Sequence, residues 1–176
     1  MKKYSIFWFR RDLRLDDNVG LFYALANHSN IIPIFIFDEN IINKLPNNDS
    51  RIKIIYNALL SINNKLKIHK TSLGTFKGDP LNVFKELVSS LNIDRVLFNH
   101  DYEPYANKRD SEIKKFLKSQ NIKVDTYKDH VIFEKNEIVK KDGSPYKVYT
   151  PFSKIWLENY NSLKQLNYPS ENFLDK

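Results

Sequence analysis

Five short strand-like runs separated by stretches of helical periodicity constrain this chain more than any other feature. The first is Tyr4 to Phe9, in which Ile6, Phe7, Trp8 and Phe9 are consecutive and bulky. Such a run is too short to span a bilayer and has the character of a strand covered on both faces. Ile31 to Phe37 reads as a second buried strand, with Pro33 near its beginning. Lys67 to Ser72 is a weaker third, Arg95 to Asn99 a fourth and Lys123 to Tyr127 a fifth. Between them the spacing predicts helices: Leu21, Phe22, Ala24 and Leu25 after a cap at Asp16, Asp17 or Asn18; Ile55, Ala58 or Leu59, Ile62 and Leu66 after a cap at Ser50; Leu81, Phe84, Leu87, Val88 and Leu91 after Gly78, Asp79 and Pro80; and Ile113, Phe116 and Leu117. Strict β-α alternation calls for an α/β fold, a doubly wound parallel sheet with helices on both faces. By analogy with doubly wound folds, the expected strand order is 3-2-1-4-5.

The 176 residues suit one domain with a real core. A polar, irregular stretch is expected over Glu39 to Asp49. Beyond Asp129 the alternation stops: 131–160 reads as an irregular extension with a turn at Asp142-Gly143 and a last helix capped by Thr150 or Ser153, and 161–176 as polar linker. Cysteine is absent, which excludes disulfides, thiolate nucleophiles and cysteine metal sites. The four histidines, His28, His69, His100 and His130, have no ligand-like spacing, so no metal site is expected. Lys2 and Lys3 precede an apolar run that ends at Arg10 without a small-residue cleavage site, so a cytoplasmic, non-membrane protein is the default. A formal charge of +7 is spread over the whole chain and by itself carries little.

The first strand breaks directly into RRDLRLDDN, Arg10 to Asn18. In an open parallel sheet, ligands bind beyond the carboxyl ends of the strands at the switch in strand order. Polar residues at those ends are Arg10 and Arg11 after the first strand, Asp38 after the second, and Asp101 and Glu103 after the fourth, with Arg51 early in the following helix. Two readings stand at this point: the charges line a crevice for a polar heteroaromatic ligand, or they pair with one another at the surface, where each pair contributes little. Trp8, Phe9, Tyr102 and Tyr105 are candidates to stack on such a ring, although Trp8 and Phe9 also suit the core. There is no G-x-G-x-x-G, Walker A or G-x-S-x-G motif, which disfavours dinucleotide dehydrogenases, P-loop enzymes and α/β-hydrolases.

Three segments, WFRRDLRLDDN at Trp8 to Asn18, NHDYEPYANKRD at Asn99 to Asp110 and SPYKVYTPFSKIW at Ser144 to Trp156, together resemble the amino-terminal α/β domain of the DNA photolyase and cryptochrome family. The resemblance implies a Rossmann-like five-stranded antenna domain, preceding in that family a helical domain that binds catalytic FAD and damaged DNA. It implies an antenna chromophore held by Arg10, Ile36, Asp38, Arg51, Asp101, Glu103 and Arg109. Folate-binding members carry an Asn-Glu pair where this chain has Tyr105-Ala106, so the resemblance favours 8-hydroxy-5-deazaflavin or a flavin, FMN or FAD, over methenyltetrahydrofolate. The implied activity is light-driven repair of pyrimidine dimers by a monomeric protein whose FAD-binding helical domain is supplied in cis or in trans, these 176 residues being inactive alone. A cryptochrome-like photoreceptor module and a generic nucleotide-binding domain are the alternatives.

Overall fold

The computed structural model describes residues 2–164 and 166–175. Its strands are β1 (Tyr4–Phe9), β2 (Ile31–Asp38), β3 (Gly74–Gly78), β4 (Ile93–Asn99) and β5 (Lys123–Tyr127). They form one sheet in the order β3-β2-β1-β4-β5, with every neighbouring pair parallel. The central strand β1 alternates large residues between two cores. Ile6 and Trp8 face the side covered by α4 (Pro80–Ser90) and α5 (Pro104–Ser119), packing with Phe84, Phe98 and Ile113. Phe7 and Phe9 face the side covered by α1 (Val19–Asn27) and α3 (Ser50–Ile68), packing with Leu21, Leu59 and Ile62. The Trp8 ring meets Phe84 and Phe98 edge-on at 5.2 and 5.5 Å, contacts that add about 1 kcal/mol each beyond burial.

Pro33 is accommodated because β3 joins β2 only from Ile34, so at Pro33 β2 still has β1 as its one neighbour. The third strand departs from expectation: it is Gly74–Gly78, not 67–72. Leu66, Lys67 and Ile68 prolong α3, whose end at His69 is closed by its N–H bonding back to the carbonyls of Leu66 and Lys67. Lys70, at φ 57°, then reverses the chain toward β3. Asp49, not Ser50, caps α3, because its carboxylate accepts from Arg51 N. A four-residue helix, α2 (Glu39–Ile42), is capped by Asp38 and occupies the start of the stretch read as irregular. The last long helix, α6 (Tyr149–Ser162), has no side-chain cap and buries none of its residues. Residues 166–175 fold back over α1: Tyr168 and Phe173 pack edge-on against Phe22, and fully buried Ser170 accepts from Asn18 N and donates to the Leu15 carbonyl. Among the described residues no helix is long and apolar enough to cross a membrane.

Candidate functional site

The loop leaving β1 owes its shape to a buried polar hub. Asn99, the last residue of β4 and 1 % exposed, donates to Asp12 Oδ2 at 2.6 Å and to Asn18 Oδ1 at 2.8 Å, and accepts from Gly20 N at 2.9 Å. Asp12 also accepts from Arg10 N, and Asn18 caps α1 by accepting from Leu21 N. Every member has a partner, the condition under which a buried polar network holds one geometry. A side chain at position 20 has no room: a Cβ there would lie 2.5 Å from Asn99 Oδ1. The remaining loop charges reach outward across the fold. Arg14 grips the fully buried Asp129 carboxylate through two nitrogens, at 2.7 and 2.9 Å, while Arg11 pairs with exposed Glu103 at 2.7 Å.

Beyond the ends of β1, β2 and β4 lies a cavity of about 350 Å³. That volume is within the range of small-molecule sites. All seven residues singled out from sequence border it: Arg10, Ile36, Asp38, Arg51, Asp101, Glu103 and Arg109. They do so in different ways. Arg10 is buried, its Nη1 donates to Asp110 Oδ2 at 2.6 Å and its Nη2 to the Asn99 carbonyl. Burial lowers its pKa from the ordinary value against the opposing pull of Asp110, with Arg109 as a further lowering influence. Its guanidinium lies 5.2 Å from the Trp8 ring centre, and that of Arg109 lies 5.0 Å from the same ring. Arg109 donates from Nε to Asp110 Oδ1, so one carboxylate serves two guanidiniums. Asp38 and Asp101 stand further off, at 3.7 and 3.9 Å from Arg109.

Two buried nitrogens border this wall: Trp8 Nε1 has no hydrogen-bond partner among the described residues, while Arg109 Nη2 makes no aligned hydrogen bond but lies 3.0 Å from Asp110 Oδ1 as an ion pair. An orphaned buried donor costs about 1–3 kcal/mol, so Trp8 Nε1 in this wall marks a place that another molecule's acceptor would complete. Acceptors face them from the other elements. Asp38 accepts from Asn40 N and from the Tyr105 hydroxyl, at 3.0 and 2.6 Å, while Asp101 accepts from Tyr102 N. Burial, reinforced by the bond to Asp38, pushes the Tyr105 phenol up to about 12 and keeps it a donor. Arg51 sits at the rim, two-thirds exposed and bound to Asp49, whose carboxyl it holds down at about 2. Glu103 is exposed and engaged by Arg11.

Sequence reasoning missed the apolar lid. Ile41 and Ile42 of α2, Leu45 after it, and Ile52 and Ile55 of α3 all line the cavity. Their signal was a helix cap at Asp38 directly after a strand, hidden in a stretch rich in Asn and Pro. Asp110, the anchor of both guanidiniums, belongs to the Asn99–Asp110 segment that carries the resemblance, but its pairing with Arg10, 100 residues away, has no local signal. Taken together, the cavity offers hydrophobic walls, aromatic edges, the unused Trp8 donor beside a guanidinium on one side and carboxylate acceptors on the other. It suits a flat conjugated molecule carrying both carbonyl oxygens and N–H or O–H groups.

A family model described as DNA photolyase matches residues 5–170. Among curated proteins, a deoxyribodipyrimidine photo-lyase of Synechococcus sp. is 32% identical over 151 residues, covering 86% of this chain and 31% of its own. Among solved structures, a bacterial class III photolyase from Agrobacterium tumefaciens superposes with a TM-score of 0.80 at 24% identity, covering 97% of this chain and 35% of that one. An archaeal photolyase from Sulfolobus tokodaii, solved with two FAD molecules and taken to imply a novel light-harvesting cofactor, gives a TM-score of 0.74 at 24% identity, covering 99% and 42%. The chain thus spans about a third of the length of the curated photo-lyase.

Proposed function

The chain belongs to the DNA photolyase family, and from that premise we propose that it is the antenna-chromophore domain of a light-driven pyrimidine-dimer repair protein. The observation that carries the reading is the unpartnered buried donor Trp8 Nε1, beside the Asp110-paired guanidinium of Arg109, in the wall of a strand-end cavity that also presents Asp38 and Asp101. The donor set fits 8-hydroxy-5-deazaflavin or the isoalloxazine of FMN or FAD, both flat tricycles with carbonyl oxygens and ring N–H groups. The second FAD of the Sulfolobus photolyase supports a flavin in this role. When bound, such a group absorbs near-ultraviolet or blue light and passes the excitation to a catalytic flavin.

This chain's own residues bind and orient. Trp8 and Arg109 would donate to acceptors of the group, Asp38 and Asp101 would accept from its donors, and Arg10, already committed to Asp110 and Asn99, stiffens the wall. Ile36 and the isoleucines of α2 and α3 exclude water, while Arg51 and Glu103 border the entrance, where a side chain or phosphate of the chromophore would emerge. Tyr105, tied to Asp38, holds that carboxylate in place.

Catalytic FAD and contact with the damaged base belong to a helical domain in cis or in trans. The face of α6 suits such a partner: Tyr149, Leu157, Tyr160 and Leu163 are exposed large hydrophobics, joined by Val131 and Ile132. A patch of this kind marks an interaction surface. The chromophore reading is tested by absorbance titration of the purified chain with 8-hydroxy-5-deazaflavin, FMN, FAD and methenyltetrahydrofolate in turn. A deazaflavin or flavin is expected to bind, with Asp101→Asn weakening it about tenfold or more, as loss of a charged hydrogen bond predicts. Binding by folate alone, or unchanged affinity in the variant, refutes the assignment.

A further inference from the structure

On the outer side of α5, a second hollow of about 610 Å³ opens between that helix and residues 134–137. It shares only Asp101 with the strand-end cavity, and it has a different chemistry. Asn107, Ser111, Lys114 and Lys118 recur at helical spacing, so α5 presents them as one stripe along the floor, flanked by Lys115 and by Lys135 from the opposite wall.

Carboxylates are present in this hollow, but each is engaged. Asp110 is held by Arg10 and Arg109, and Asp101 stands 3.7 and 3.9 Å from Arg11 and Arg109. Glu134 accepts from the Tyr102 hydroxyl at 2.8 Å and bonds His100 Nδ1; burial alone would raise its carboxyl, yet these two bonds hold it below the usual range. Glu137 accepts from Lys128 at 2.8 Å. By contrast Lys114, Lys115, Lys118 and Lys135 form no ion pair with any described residue. The one close contact of Lys114 Nζ is the Phe98 ring, 5.5 Å away. Lys114 and Lys118 also border an adjoining hollow with Lys123, where Asp125 is bound to Arg95. The trough therefore runs on toward β5, the edge of the sheet, and none of these ammonium groups is in an ion pair with a described residue.

We infer that this trough along α5 is a contact surface for the sugar-phosphate backbone of nucleic acid, gripped without regard to sequence. The residue types favour that occupant. Lysine with serine and asparagine is the donor set that positions proteins on phosphates. Lysine is depleted from protein–protein interfaces, and the trough lacks the tryptophan and arginine anchors that dominate them. A stripe running along α5 from Asn107 to Lys118 suits a chain of phosphates better than one small anion. The inference does not depend on the antenna reading, since no chromophore residue except Asp101 borders the trough.

The test is fluorescence anisotropy of the 176-residue chain with a labelled mixed-sequence DNA duplex of about 20 base pairs, over a range of salt concentrations. Lys114→Gln/Lys118→Gln is expected to lower the slope of log K against log salt by about 2, because each phosphate contact contributes about 0.9. Lys53→Gln/Lys67→Gln, on the exposed side of α3, makes the same change in net charge and is expected to keep the wild-type slope. All four lysines are exposed, so the fold is retained in both variants, as circular dichroism checks. No binding by the wild type, an equal loss in both variants, or an unchanged slope in the first overturns the inference. So does binding of polyglutamate in place of DNA.

Discussion

Replacing Asn99 by alanine is expected to loosen the loop that carries Arg10, and the structure gives both a size and a partner for the effect. The change removes bonds of 2.6, 2.8 and 2.9 Å to Asp12, Asn18 and Gly20. Asp12 and Asn18 keep other partners, so the bond to the Asp12 carboxylate accounts for about 1.5–3 kcal/mol and that to Asn18 for about 1 kcal/mol. Gly20 N is left buried without an acceptor, at a further cost of about 1–3 kcal/mol. With partial relaxation a loss of about 3–5 kcal/mol follows, or roughly 6–20 °C in Tm for a chain of this size. Gly20→Ala alone is expected to cost about 1–3 kcal/mol, because its Cβ would meet Asn99 Oδ1 at 2.5 Å and Phe7 at 3.0 Å. In the Asn99→Ala background the closer of those clashes is gone. Urea denaturation of the two single variants and the double, followed by circular dichroism, closes a cycle in which the double loses at least about 1 kcal/mol less than the sum. Strict additivity, or an Asn99→Ala loss under about 1 kcal/mol, refutes the hub.

Ser170→Ala strands Asn18 N and the Leu15 carbonyl, so it is expected to cost about 1–3 kcal/mol and to open residues 166–175 to trypsin at Lys164; an unchanged digestion pattern contradicts the clasp. Alkaline titration at 295 nm, taken as wild type minus Tyr105→Phe, is expected to show one phenol with its midpoint near 12, set by burial and by Asp38. Its raised pKa means the folded state favours the neutral phenol, so that stabilisation is complete below about pH 10 and lost as the pH climbs toward 12. A difference curve centred at 10 removes the Tyr105–Asp38 bond from the account.

The apolar runs placed β1 and β5 to the residue, because buried strands leave strong local signatures. The resemblance of the Arg10–Asn18 and Asn99–Asp110 segments supplied the remainder of the site, as it joined strand ends that periodicity could only order. What stayed illegible has a common cause. β3 carries a single large apolar residue, Phe76, between terminal glycines, and an edge strand needs only one well-packed face. Asn99 reads as the end of an apolar run; that its side chain binds three segments is a property of the assembled sheet. The unpartnered nitrogen of Trp8 is likewise invisible in a residue that composition assigns to the core.

The loop after β1 has a kinetic consequence. Arg10 is joined to Asp110, Arg11 to Glu103, Arg14 to Asp129 and Asn18 to Ser170, across 100, 92, 115 and 152 residues of chain. Such long closures are entropically costly and come late. During synthesis the β1 loop gains its hub partner Asn99 only 81 to 87 residues after it, Glu103 92 residues after Arg11, and the others later still. The pocket, whose walls include Asp101, Glu103 and Arg109 and whose Arg10 is held by Asp110, therefore matures late, and a ligand that fills it is loaded only after synthesis has passed Asp110.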